Sequence, residues 1–156
     1  MTALSLKTVG ETDTRMTRRF AAPPEAVYRA HLDPQLIPRW MTGPEGWRMT
    51  SCRFAADGGF RHVWEGEGGA AFHMTGEILE RDPGRRILHV ERMHLPDPTP
   101  DSVVETFFEP ADGGGTLMTV TMTLPDAMVR DLVIETGMAA GAEASYARID
   151  PLLAAP

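Results

Sequence analysis

The chain carries one cysteine, Cys52, in 156 residues. A lone thiol forms no internal disulfide and no cysteine-based zinc site, a usage that fits a reducing compartment, and its expected role is that of a small buried hydrophobe. Basic charge is also scarce. Fifteen Lys and Arg against 22 Asp and Glu leave a formal net charge of -7, so the cations that neutralise phosphates are missing and nucleic acids and anionic membranes are excluded as partners. No apolar run approaches the roughly 20 residues that cross a bilayer. The opening MTALSLKTVG lacks both the basic start and the apolar core of a signal peptide, so the expectation is a cytoplasmic protein with no membrane insertion.

Familiar catalytic spacings are absent as well. His31, His73 and His94 show no ligand pattern such as HExxH, so no metal is expected. GEGGA and DGGGT lie between strand-like segments and carry no P-loop lysine, which makes them hairpin turns rather than phosphate cradles. Ser102 and Ser145 stand in no nucleophile elbow. No cofactor and no catalytic residue are assigned.

What is present describes one globular unit. The hydrophobic share of 42% and charged share of 24% are ordinary, and the length suits one domain. Residues 1–12 read as a flexible N-terminal segment and 13–156 as a single domain. DTRMTRRFA alternates as a first strand until Ala22-Pro23-Pro24 breaks it. PPEAVYRAHLDP then places Val27, Ala30 and Leu32 on one helical stripe, and PQLIPRWM adds a second short helical turn. Between Trp47 and Leu124, five Gly-rich or Pro-rich turns separate six strands in a meander. Asp126 offers an N-cap to one long helix from 127 to about 150, with Met128, Leu132, Ala139, Ala142, Tyr146, Ile149 and Leu153 on its stripe. Gly137 and Gly141 inside that helix each cost about 1 kcal/mol relative to Ala. They mark either a close approach to the sheet or room left for a ligand.

Four segments carry a resemblance: RRFAAPPEAVYRAHLDPQLIPRWMTGPEGWRM, GGFRHVWEG, FHMTGEILERDPGRRILHVER and TGMAAGAEASYARIDPLL. In order and spacing, over about residues 15–153, they resemble the family named for the activator of the heat-shock chaperone ATPase, within the START-like (SRPBCC) superfamily. The resemblance implies an α+β helix-grip fold: a curved antiparallel sheet wrapped around a long C-terminal helix, two short helices after the first strand, and a lumen between sheet and helix. CRFAADGG departs from the Asp-x-Arg-x-Gly-Gly pattern of many relatives, keeping Gly58 and Gly59 without the arginine. Any polar contact made by that pair is therefore not carried over.

Strand parity supplies candidate lumen residues. Phe60, His62 and Trp64 share one face of a strand, as do Phe72 and Met74, then Ile87, His89, Glu91 and Met93. Val104, Thr106 and Phe108 continue the set, followed by Met118, Val120 and Met122. Met138 and Tyr146 face them from the helix, while Trp40 and Trp47 flank the TGPEG turn and either gate one mouth or pack at the rim. Aromatic and Met area with a few polar islands is the composition of a small-molecule pocket, although the same side chains could fill a solid core. The expected partner is a small hydrophobic molecule bound in that cavity. Two alternatives stand beside it. One is an interaction protein that modulates a heat-shock chaperone, as the family name suggests. The other is a cofactor-free cyclase or hydrolase of hydrophobic substrates, using His62, His89 and Glu91 as acid/base groups.

Overall fold

Strands form where the turns said they would, and their pairing makes one sheet. The computed structural model describes residues 4–43 and 45–154. Among these, β1 (Ser5–Val9) and β2 (Asp13–Phe20) precede α1 (Pro24–Ala30) and α2 (Ile37–Trp40). The meander follows as β3 (Arg48–Phe54), β4 (Gly59–Glu65), β5 (Ala71–Asp82), β6 (Arg86–His94), β7 (Ser102–Pro110) and β8 (Thr116–Thr123). Helices α3 (Ala127–Glu135), α4 (Met138–Tyr146) and α5 (Ile149–Ala154) close the chain. Every strand pairs antiparallel with its neighbour, in the order β1-β2-β8-β7-β6-β5-β4-β3. This is the α+β helix-grip architecture, with the C-terminal helices laid against an open curved sheet.

Two expectations are corrected. Within the N-terminal segment expected to be flexible, Ser5–Val9 forms an edge strand, pairing Leu6 with Met16 and Lys7 with Arg15; residues 1–3 of that segment lie outside the described residues. SLKTV has little apolar alternation of its own, and its order comes from hydrogen bonding to β2 and from Leu4 and Leu6 packing on the core.

The long C-terminal helix is three helices. Asp126 caps α3 as expected, its carboxylate accepting the Val129 amide at 2.9 Å, but the helix stops at Gly137. That residue has φ +81°, a left-handed conformation that glycine adopts without cost and that ends helices. The reading of Gly137 as a helix-interior residue is thus overturned. A second break precedes α5, where Pro151 is tolerated because it falls in the first turn. Helix α3 buries none of its residues, and Met128 and Leu132, expected on the inward stripe, are exposed.

Helices α4 and α5 are fixed to β2 by polar clamps. Arg18, almost fully buried, donates from Nε and Nη2 to the two carboxylate oxygens of Glu143 at 2.8 and 2.9 Å. That guanidinium, with the Leu4 amide, holds the Glu143 carboxyl below the ordinary carboxylate range. Asp150 accepts from the Ala21 amide at 3.0 Å. The main core gathers under this arrangement, with Met16, Phe20, Val27, Trp40, Phe108, Met118 and Ile149 all buried.

Candidate functional site

Between the inner sheet face and α4 lies a pocket of about 400 Å³. Its floor follows from register, because residues directly opposite in antiparallel strands share a face. His62 pairs with Met74 and Met74 with Met93; Ile78 pairs with His89 and His89 with Val104; Val104 pairs with Met122. Trp64 pairs with Phe72, their rings stacked 4.9 Å apart. One glycine makes this floor possible. A Cβ on Gly76 would collide with the Val90 carbonyl and the Phe60 ring, so only glycine lets Phe60 lie flat across β5.

Of the residues anticipated from parity, Phe60, His62, Trp64, Phe72, Met74, His89, Glu91, Met93 and Met122 all face this space. Met138 and Tyr146 cover it from α4, and Trp40 borders it from α2. Trp40 and Trp64 present only their apolar surfaces, since their indole N–H groups donate to the Ala30 and Met41 carbonyls at 2.9 Å each.

Three anticipated residues stand elsewhere. Phe108 and Met118 do share the inner face, but α1 covers that end of the sheet: Phe108 packs edge-on against Tyr28 at 5.6 Å, and both residues are sealed in the core. Trp47 packs on Phe72 at 5.0 Å and under the β4–β5 hairpin, its ring within 3 Å of where a Gly66 Cβ would sit. It therefore does not line the pocket.

The polar islands are specific. His89 Nε2 and Glu91 Oε1 lie 2.6 Å apart on the pocket wall, two residues apart on one strand face as parity requires. Arg92, of opposite parity, is engaged on the other side with Asp101 and Glu77. His62 stacks on Phe60 at 5.0 Å, and burial lowers its pKa below the usual imidazole value. The Tyr146 phenol is shifted up, first by burial and then by the Glu91 carboxyl, so it remains a neutral hydroxyl. Cys52 is half-buried, and burial pushes its thiol up to about 11, which leaves it an unreactive thiol. His73 and His94 stack 4.2 Å apart on the opposite face of the sheet, away from the pocket.

One wall residue, weighed above only as a metal ligand, was not among those that parity supplied. His31, at the C-terminal end of α1, sits on the pocket wall among Trp40, Phe108 and Tyr146, with ring centroids at 4.9, 5.0 and 6.2 Å. Its Nδ1 donates to the Val27 carbonyl at 2.8 Å. Burial among these rings takes its pKa down to about 4, so the ring is neutral at physiological pH. The signal available was helical spacing: Val27 and His31 lie four residues apart, hence on one face of the turn. Met16, Leu32, Met41, Phe54, Ala142 and Ser145 also border the pocket without having been singled out for it.

Comparison with known proteins adds the following. The model of the family "Activator of Hsp90 ATPase homolog 1-like protein" matches residues 21–154. A crystal structure of a protein from Rhodobacter sphaeroides superposes with a TM-score of 0.90 at 30% identity, covering 98% of this chain and 99% of that one. A protein from Chromobacterium violaceum gives 0.76 at 26% identity, over 93% and 99% of the two chains. The AHSA1 protein of Silicibacter pomeroyi gives 0.73 at 23% identity, over 91% and 97%, a likeness of fold alone. No curated protein is significantly similar to the chain. Among the described residues no helix is long and apolar enough to cross a membrane.

Proposed function

We propose, from the premise that the chain belongs to the activator of Hsp90 ATPase homolog 1-like family, that it binds a small apolar molecule in the pocket between the sheet and α4. The observation that carries this reading is the pocket wall itself: Phe60, Trp64, Phe72, Met74, Met93 and Met122 surround about 400 Å³ with aromatic and thioether surface, broken by a few polar groups. That volume falls in the range of small-molecule sites, and burying apolar ligand surface there contributes on the order of 25 cal/mol per Å² before the cost of immobilisation. Met side chains suit the task because their unbranched thioethers adapt to irregular shapes. A chaperone-directed role rests on the family's description, whereas the pocket is a feature of this chain. The single cysteine and the composition of the N-terminal stretch support a cytoplasmic location for this binding protein.

Native mass spectrometry of gently purified protein tests the proposal. The expected spectrum contains a second series heavier than the apo chain by one small organic mass, which disappears after extraction with organic solvent. A bare apo spectrum that stays bare after incubation with a panel of neutral aromatic and aliphatic compounds would reject it.

A further inference from the structure

The pocket is apolar in area, and the side-chain charge on its wall has one sign. Among the described residues that line it, Glu91 is the sole carboxylate, and no Lys or Arg stands with it. Two arginines that could have answered that charge are engaged elsewhere. Arg18 on β2 holds both carboxylate oxygens of Glu143, and Arg92, next to Glu91 in the chain, lies on the opposite sheet face with Asp101 and Glu77. The carboxylate is also only half-satisfied. Its Oε1 is 2.6 Å from Nε2 of His89, whereas Oε2 makes no hydrogen bond among the described residues. That oxygen is not closed off from water as the unpartnered ring nitrogens of His31 and His62 are, and the Glu91 side chain keeps 20% of its surface accessible.

Register puts aromatic surface beside this group. Phe60 pairs with Gly76 and Gly76 with Glu91, and the missing side chain at Gly76 lets the Phe60 ring lie across β5 toward that row, 5.8 Å edge-on from His89. The Tyr146 ring covers the same space from α4. The carboxylate acts on both walls: it helps hold the Tyr146 phenol protonated and favours the charged form of His62. A carboxylate with aromatic faces around it is the pairing that receives an ammonium, through charge-assisted hydrogen bonds and the negative faces of the rings. The chain's net charge of -7 pushes the same way, drawing cations toward the protein and repelling anions.

We infer that the pocket selects an apolar amine, with the hydrocarbon body against Phe60, Trp64 and the methionines and the ammonium donating to Oε2 of Glu91. A carboxylate or phosphate carried into this space would lose its hydration and meet a like charge, so fatty acids and other apolar anions are disfavoured. An uncharged molecule of the same shape binds through the apolar wall alone, and more weakly. This inference rests on the ligand-binding reading above and adds the chemical class.

The test uses three matched probes, 2-(2-naphthyl)ethylamine, 2-(2-naphthyl)ethanol and 2-naphthylacetate, measured by equilibrium dialysis at pH 7.5 against the wild-type chain and a Glu91→Gln variant. The expected order for wild type is amine over alcohol by about fivefold or more, the margin of a charge-assisted hydrogen bond over a neutral one, with naphthylacetate weakest. In Glu91→Gln, which keeps the shape and removes the charge, the amine preference should vanish while the alcohol still binds. If the alcohol binds wild type as well as the amine, or if naphthylacetate binds best, the inference is overturned and the ligand-binding reading survives. An amine preference that persists undiminished in the variant also overturns the assignment to Glu91. Should none of the three bind, both readings fall. The wild-type ratios decide the ligand class even if the variant folds poorly.

Discussion

At the scale of single residues, His31 shows how burial converts a titratable group into a fixed neutral ring, and it makes stability depend on pH. In the unfolded chain the imidazole takes up its proton near 6.5, whereas in the folded protein it does so only near 4. Between these values unfolding absorbs a proton, so stability is complete above about pH 6.5 and falls as the pH is lowered toward 4. By pH 5 the loss assignable to His31 is about 2 kcal/mol. His62, also lowered by burial, acts with the same sign, the neighbouring Glu91 carboxyl opposing part of that shift. Glu143 acts in a lower window: Arg18 depresses its pKa, so its contribution is lost only as the pH falls below the ordinary carboxylate value of 4.5. Urea unfolding at pH 7, 6 and 5 should therefore show a steep loss in wild type and a loss shallower by about 2 kcal/mol in His31→Phe. Equal slopes for the two proteins would show that His31 titrates normally in the fold.

Elements tell a different story about the same kind of residue. Gly137 and Gly141 look alike in the sequence, four apart in a segment read as one helix. Gly137 is the left-handed residue between α3 and α4, whereas Gly141 lies inside α4, where an added Cβ would meet no atom within 4 Å. Alanine should thus act with opposite sign at the two positions. Gly141→Ala is expected to stabilise by about 0.5 to 1 kcal/mol through helix propensity, and Gly137→Ala to destabilise by about 1 kcal/mol because a side chain is strained at that φ. Chemical denaturation of the two variants measures this directly, and a common sign would mean that α3 and α4 form one continuous helix. The sequence hid the break because helical periodicity runs across it: Met128 and Leu132 fit the stripe but are exposed, and only glycine's permissiveness hints at the left-handed turn. Edge strand β1 was hidden for a related reason, since SLKTV lacks an apolar face and is held by pairing with β2. The meander was legible, because each of its hairpins carries its own Gly or Pro signal and period-two alternation survives in between.

For the whole molecule, the gap between sequence and structure lies in what closes the pocket. Parity alone placed His62, Met74, His89, Glu91 and Met122 on a common inner face, and register carries that face across the sheet from β4 to β8. Parity could not tell which end of the face is covered. Phe108 and Met118 obey the same alternation, yet α1 seals them into the core, and His31 reaches the pocket through the packing of that same helix. Long-range docking of this kind leaves no periodic trace. The central claim is that the space between sheet and α4 takes up an apolar molecule. Its most direct test is a fluorescence titration with the neutral probe N-phenyl-1-naphthylamine, run on wild type and on Ala142→Trp, whose indole would project from α4 into the pocket that Ala142 borders. The account predicts saturable one-to-one binding to wild type and a loss of affinity of at least about tenfold in a variant that keeps its fold, as expected when bulk occupies a ligand's space. Fluorescence that never saturates with wild type, or an affinity unchanged by the tryptophan, would contradict it.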